Sequence, residues 1–419
     1  MHIPNPTAPS APAVFVPTIV RHHAEDAATK FWRRRRYLKD PRTPFESLHS
    51  FDQTIAAHLD GLREAGHAGI ERAQAALERS IKVNAHDVSA DCFVVIALAF
   101  LTEDMPTMQA VIKQVADKPG FADALEGVFS WFGTDTIAKI VEPQFSNTRP
   151  AFRHAALRQC HAYDLAASPA LSQALRDSPK ESMAITLDAV ANCGRTDLLA
   201  DIEQILLHGD LDEEANFSAA RCALFLGTRG NNAVHTLRAI APKDSPHSEE
   251  AVKLLCIALS KQSLHGHLAE MEGQGIKRSL LVKALGWSGN PEYVPLLIAE
   301  MRKAPTARVA GESFRQITGF DIEANHAVAE ATDESEEKSP YPLPDAEKID
   351  RWWQHNKHCY ADAERWLLGR PVSNKWLHYL LGTAEQGHRE LAALHRMFLN
   401  PGTTLFPTHA GTHRQLQYF

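Results

Sequence analysis

The chain has no unbroken apolar run longer than the ten residues from Cys92 to Leu101. A bilayer crossing takes about 20 such residues, so this stretch reads as a buried core helix and no membrane span is expected. The first twenty residues contain five prolines (Pro4, Pro6, Pro9, Pro12, Pro17), with no Lys or Arg before Arg21. A secretory leader combines a basic start with an apolar block, and neither is present. The expectation is a cytoplasmic protein.

Cysteine is scarce and scattered. Cys92, Cys160, Cys193, Cys222, Cys256 and Cys359 stand singly, with no C-x-x-C pair and no Cys-His cluster at zinc spacing. Buried free thiols acting as small hydrophobes are expected, and disulfides are not. There is no G-x-x-x-x-G-K-S/T phosphate cradle, no G-x-G-x-x-G and no G-x-S-x-G. Each of these would present backbone donors or a nucleophile at a fixed turn. The 22 histidines include His22-His23, His265 with His267, and His355 with His358. None forms H-E-x-x-H, which puts two imidazoles and a base on one helix face. The acidic runs Asp212-Glu213-Glu214 and Glu249-Glu250 precede apolar helical stretches, where carboxylates favour the positive helix end. No catalytic residue, cofactor or metal is expected, and the chain reads as a non-enzyme.

The net charge of −7 is unevenly spread: +4 over 1–50, −6 over 51–150, −1 over 151–320, −8 over 321–350 and +4 over 351–419. A groove that wraps nucleic acid needs an excess of Lys and Arg to replace counterions. The middle of this chain has 18 basic against 19 acidic residues. Nucleic acid is therefore not an expected partner.

What is present is helical pattern nearly throughout. Residues 1–16 read as a disordered Pro-rich arm, and 17–149 as an N-terminal helical region. Within it, Phe51, Ile55, Leu59 and Leu62 form one stripe that ends at Gly66. Residues 150–330 carry a repeat. Two apolar segments, Ala220–Asn231 and Leu281–Asn290, each end in Leu-Gly-x-x-Gly-Asn, and an amphipathic helix follows each. With weaker copies, Gly194, Gly230, Ser263, Gly289 and Gly319 mark turns about 30 residues apart, the period of HEAT-like helical arrays. Residues 331–344 read as an acidic linker. Residues 345–419 form a Trp-rich module with expected helices at Asp345–Asn356, Ala361–Leu368, Lys375–Gly382 and Gln386–Leu399. The fold class is all-α: a HEAT-like solenoid with helical regions at both ends.

Two features suggest a surface that grips a partner. Arg33, Arg34, Arg35 and Arg36 lie between Phe31-Trp32 and Tyr37-Leu38, a helix packing one side and showing arginines on the other. Trp287 falls at a repeat turn, on the edge where such arrays meet partners.

Three stretches resemble a family of uncharacterised bacterial proteins. They are Ala56-Ala57-His58-Leu59-Asp60-Gly61-Leu62 with Ala65-Gly66; Ile317-Thr318-Gly319-Phe320-Asp321-Ile322; and Trp353, Arg365-Trp366-Leu367-Leu368-Gly369-Arg370-Pro371, Pro401-Gly402 and Leu405-Phe406-Pro407-Thr408. The resemblance spans roughly residues 50 to 415. It implies a HEAT-like centre and genes near those of type VI secretion. The function it implies is that of an adaptor or chaperone for a secreted effector or spike protein, and it supplies no catalytic residue. Two other readings stay open: an immunity protein neutralising a cognate toxin, and a HEAT-like enzyme or nucleic-acid-processing protein.

Overall fold

In the computed structural model, residues 15–83, 87–133, 135–163, 165, 168–228, 230–329, 339–361 and 363–419 are described. Most of the Pro-rich arm and most of the acidic linker lie outside them. The architecture is all-α, as the periodicity implied.

The N-terminal region holds α1 (Pro17–Lys39), α2 (Phe45–Glu64), α3 (His67–Lys82), α4 (Ser89–Leu101), α5 (Met105–Val115), α6 (Phe121–Trp131) and α7 (Asp135–Val141). The long apolar run is α4, hydrophobic on every side because helices enclose it: it contacts α1, α2, α3, α5 and α6. Small residues on α1 (Ala24, Ala27, Ala28) let the two helices approach, and Phe31 stacks on Phe93 with ring centroids 3.8 Å apart. Gly66 closes α2 at φ 58°, the stop its position implied.

The central stretch holds α8 (Pro150–Gln159), α9 (Pro169–Arg176), α10 (Met183–Asn192), α11 (Leu199–His208), α12 (Glu213–Phe225), α13 (Asn231–Ile240), α14 (Ser248–Ala258), α15 (Lys261–Gly273), α16 (Arg278–Trp287), α17 (Val294–Met301) and α18 (Ala307–Thr318). Alternate helices α8, α10, α12, α14, α16 and α18 touch in succession, burying Leu187, Phe225, Leu255 and Phe314 among them. Asp212 caps α12 by accepting the Ala215 N–H at 2.8 Å. Several ion pairs join residues 30–34 positions apart. Arg221 meets Asp188 thirty-three residues away, Lys243 meets Glu213 thirty away, and Lys283 meets Glu249 thirty-four away. A pair as exposed as Lys243–Glu213 stabilises little.

The turns refine the repeat. Gly194, Gly289 and Gly319 adopt positive φ at 64°, 62° and 69°. In the Ala220–Asn231 copy, however, Gly227 takes that role at φ 105°, while Gly230 is an extended residue preceding α13. At the weakest copy, Ser263 lies inside α15, and Ser260 caps that helix by accepting the Ser263 N–H.

The C-terminal stretch adds α19 (Ala346–Asn356), a hairpin of β1 (Trp366–Leu367) and β2 (Arg370–Pro371), then α20 (Asn374–Thr383), α21 (Gln386–Leu399) and α22 (Thr412–Gln415). The helix expected at Ala361–Leu368 does not form. Pro371 cannot extend a helix, and Leu368-Gly369, at φ 47° and 77°, make a two-residue hairpin turn. The tryptophans pack rather than project. Trp352 lies 4.7 Å from Phe320, and Trp376 donates its indole N–H to the Leu367 carbonyl at 2.7 Å.

This stretch does not stand apart from the rest. It lies along the edge where the stacked helices end. The Leu405 N–H donates to Asn192, Trp366 to Gly289, Leu368 to Gln316 and Gly369 to Ile317, at 2.7–3.0 Å. Arg414 donates to the carbonyls of Phe129, Ser130 and Ala162, and Arg365 to those of Cys256, Leu259 and Ser288. Helix C-termini leave carbonyls unsatisfied and carry partial negative charge. A segment with an excess of four positive charges over 351–419 suits that edge.

Candidate functional site

Four consecutive helical residues point about 100° apart, so Arg33–Arg36 cannot share one face. The structure divides them. Arg34 is buried, correcting the expectation that all four are displayed. Its guanidinium meets the Asp52 carboxylate with Nε–Oδ1 2.6 Å and Nη2–Oδ2 3.2 Å, and it donates to the Ala410 carbonyl at 2.8 Å. Asp52 also accepts the Thr412 N–H at 2.8 Å, so the pair ties α1, α2 and the C-terminal stretch together. Arg35 is half-buried, bonded to Ser89 Oγ at 2.7 Å and paired with Asp87 and Asp123.

Arg33 and Arg36 are exposed and have no ion-pair partner among the described residues. Arg36 lies over Trp32, its guanidinium carbon 5.1 Å from the ring centroid. Trp32 is 44% exposed and Tyr37 43%. Beside them a groove of about 440 Å³ runs between α1, α3 and α4, walled by Ala28, Trp32, Ala76, Val83 and Ala90. Val83, 76% exposed, marks one end. The rim carries an Arg79–Glu25 contact at 3.0 Å and a Ser80–Asp91 hydrogen bond at 2.6 Å. An aromatic surface flanked by unpaired guanidinium groups can supply large contact area and charge-assisted hydrogen bonds together.

Trp287 is elsewhere. It ends α16 and is only 9% exposed, so it is not the displayed turn residue expected. The Lys253 ammonium sits 5.4 Å from its ring centroid. Both line a polar cleft of about 320 Å³ that also contains Glu249, Lys283, Glu312 and His388. Two of its lysines are paired, Lys283 with Glu249 at 2.8 Å and Lys253 with Glu250 at 2.7 Å. Burial opposes the Lys253 charge, but Glu250, Glu390 and Glu249 outweigh it and hold its pKa above the usual lysine value.

Among the described residues no three His, Cys, Asp or Glu side chains converge as metal ligands. His23 and His58 approach with Nδ1 atoms 3.1 Å apart, as a pair alone. His355 and His358 are exposed, and His355 bonds the Arg351 carbonyl at 2.7 Å. No described helix is long and apolar enough to cross a membrane.

Sequence reasoning overlooked Asp52, though a signal for it exists. Leu48, Asp52, Ile55, Leu59 and Leu62 follow helical spacing on one face, and a carboxylate within that stripe must find a buried cation. Val83 had no such signal, because the groove it closes exists only once three helices meet. Comparison with protein families, curated proteins and solved structures finds no match to this chain.

Proposed function

We propose that this protein is a non-catalytic scaffold that binds another protein through the outer face of α1 and the adjoining groove. The observation that carries the reading is the cluster of Trp32, Arg33, Arg36 and Tyr37, exposed together on one rigid helix beside that groove. Tryptophan, tyrosine and arginine dominate the few residues that supply most interface energy. A helix anchored from below by Phe31 and Arg34 presents them with little ordering cost on binding. In this reading the stacked helices form a HEAT-like solenoid that holds α1 in place. A stable interface would cover about 800 Å² of each partner.

The resemblance in the Ile317–Ile322 and Arg365–Pro371 stretches supports a more specific role. The partner is a type VI secretion effector or spike protein, and the chain acts in the cytoplasm as its adaptor or chaperone. The test is co-expression of the full chain with secreted proteins encoded beside its gene. A one-to-one complex on size-exclusion chromatography is expected, weakened at least about tenfold by Trp32→Ala or Arg36→Glu. Elution of the chain alone with every candidate, or a complex indifferent to both substitutions, would overturn the proposal. Deletion separates the roles: an adaptor's loss abolishes delivery, whereas an immunity protein's loss kills only cells with an intact toxin gene.

A further inference from the structure

A cavity of about 560 Å³ opens where α13, the end of α14, the hairpin and α21 meet. Val234, Leu259, Val372 and Phe398 give it apolar walls, and Leu399, 48% exposed, sits at its mouth. Its size and lining fall in the range of small-molecule sites, about 300–1,000 Å³.

Four polar side chains, Ser260, Glu364, Arg365 and His395, break the apolar lining, and His395 and Arg365 have bonding capacity left over. His395 is 3% exposed, yet its ring makes no hydrogen bond to any described residue. Burial, followed by the nearby Arg365 charge, pushes its pKa down to about 3. The imidazole is therefore neutral and retains one N–H donor and one acceptor nitrogen. Neither ring nitrogen is among the fully enclosed polar atoms without a partner, so the ring is open to the cavity and can bond what occupies it.

Arg365 is the second. Three of its N–H groups go to the carbonyls of Cys256, Leu259 and Ser288. It is partly buried and has no carboxylate within ion-pair distance among the described residues. Five N–H donors minus three leaves two without a protein acceptor. Glu364 lies at the solvent-exposed rim of the same cavity, where water weakens its field.

We propose that this cavity binds an amphipathic carboxylate: an apolar chain held between α13 and α21, ended by one carboxyl group. The carboxylate accepts hydrogen bonds from Arg365 and His395, giving the guanidinium its missing counter-charge and the imidazole its missing acceptor. The chain takes the place of water against Val234 and Val372. This site is independent of the α1 face, so failure of either reading leaves the other standing.

The probe is decanoate, titrated into the full chain below its micelle concentration. Binding is followed by calorimetry and by the fluorescence of Trp366, the neighbour of Arg365. The expected result is saturable one-to-one binding, with decylamine, of equal chain length and opposite charge, at least about tenfold weaker. His395→Leu should weaken decanoate about tenfold through the lost hydrogen bond. Val234→Trp, which fills the cavity, should abolish binding with an unchanged circular dichroism spectrum. Absence of saturable binding, equal binding of decylamine, or decanoate binding by Val234→Trp like that of the parent would each overturn the proposal. If Val234→Trp unfolds the chain, the decylamine comparison and His395→Leu decide.

Discussion

Arg34 and Asp52 face each other between α1 and α2, each 2% exposed, with the backbone of Ala410 and Thr412 closing over them. Both charges lost water on folding, and each is tolerable only because the other is present. Arg34→Ala or Asp52→Ala leaves a lone buried charge and should cost about 3–5 kcal/mol in urea unfolding. Replacing both together, Arg34→Met with Asp52→Leu, should cost clearly less than the sum of the single changes.

The turn glycines separate by backbone geometry. At Gly289, φ is 62° and an added Cβ would lie 2.6 Å from the Trp366 carbonyl oxygen. Gly289→Ala should therefore lose more than about 1 kcal/mol, from strain at positive φ and displacement of the hairpin. Gly230, at φ −61° with only the Thr228 hydroxyl nearby, should accept alanine within about 0.5 kcal/mol. Thermal melts of the two variants test the contrast; equal losses would contradict the close seating of the hairpin on the Gly289 turn.

Glu300 gives a pH dependence of defined sign. Its side chain has no exposed surface and meets Arg278 at 2.7 Å and Lys303 at 2.6 Å. Burial opposes its charge, but hydrogen bonds from Arg278, Lys303 and Thr306 prevail and hold the pKa at about 2. A carboxyl depressed on folding stabilises fully above its unfolded value, about 4.3, and loses that contribution as pH falls toward 2. Arg278 and Lys303 are 39% and 57% exposed, so solvent screening reduces the effect to about 1–2 kcal/mol. Glu300→Gln should be less stable at pH 7 and show a flatter acid limb between pH 4.5 and 2. An identical acid limb in the variant would contradict the assignment.

Thiol reactivity should follow burial. Cys92, Cys160, Cys193, Cys222 and Cys256 are buried, and Cys359 is exposed. Burial pushes Cys92 and Cys256 up to about 12, and the thiolate is the reactive form. An aromatic disulfide reagent should titrate one thiol rapidly in the folded protein and the other five only after denaturation. Rapid reaction of two or more would mean that the stack opens readily.

How much was legible beforehand follows from the range of each interaction. The apolar stripe at Ile55, Leu59 and Leu62, the all-round hydrophobicity of Cys92–Leu101 and the stop at Gly66 depend on neighbours within a few turns of chain. Helix periodicity therefore revealed them, and the all-α class with them. The Ala361–Leu368 segment misled the same reasoning, because its Trp366 and Leu368 N–H groups donate to the Gly289 and Gln316 carbonyls, more than fifty residues earlier. Local pattern has no access to such partners.

The sequence by itself determined that most of the chain is helical and where several of the helices stop. Those properties come from side-chain spacing and backbone chemistry along the chain. Only the tertiary structure decided that Arg34 is a buried strut while Arg33 and Arg36 face solvent, and that Trp287 lies under Lys253. It likewise placed the C-terminal stretch over the helix ends. Each of these outcomes depends on which distant residue fills the space beside a charge or an aromatic ring, and that is fixed when helices pack.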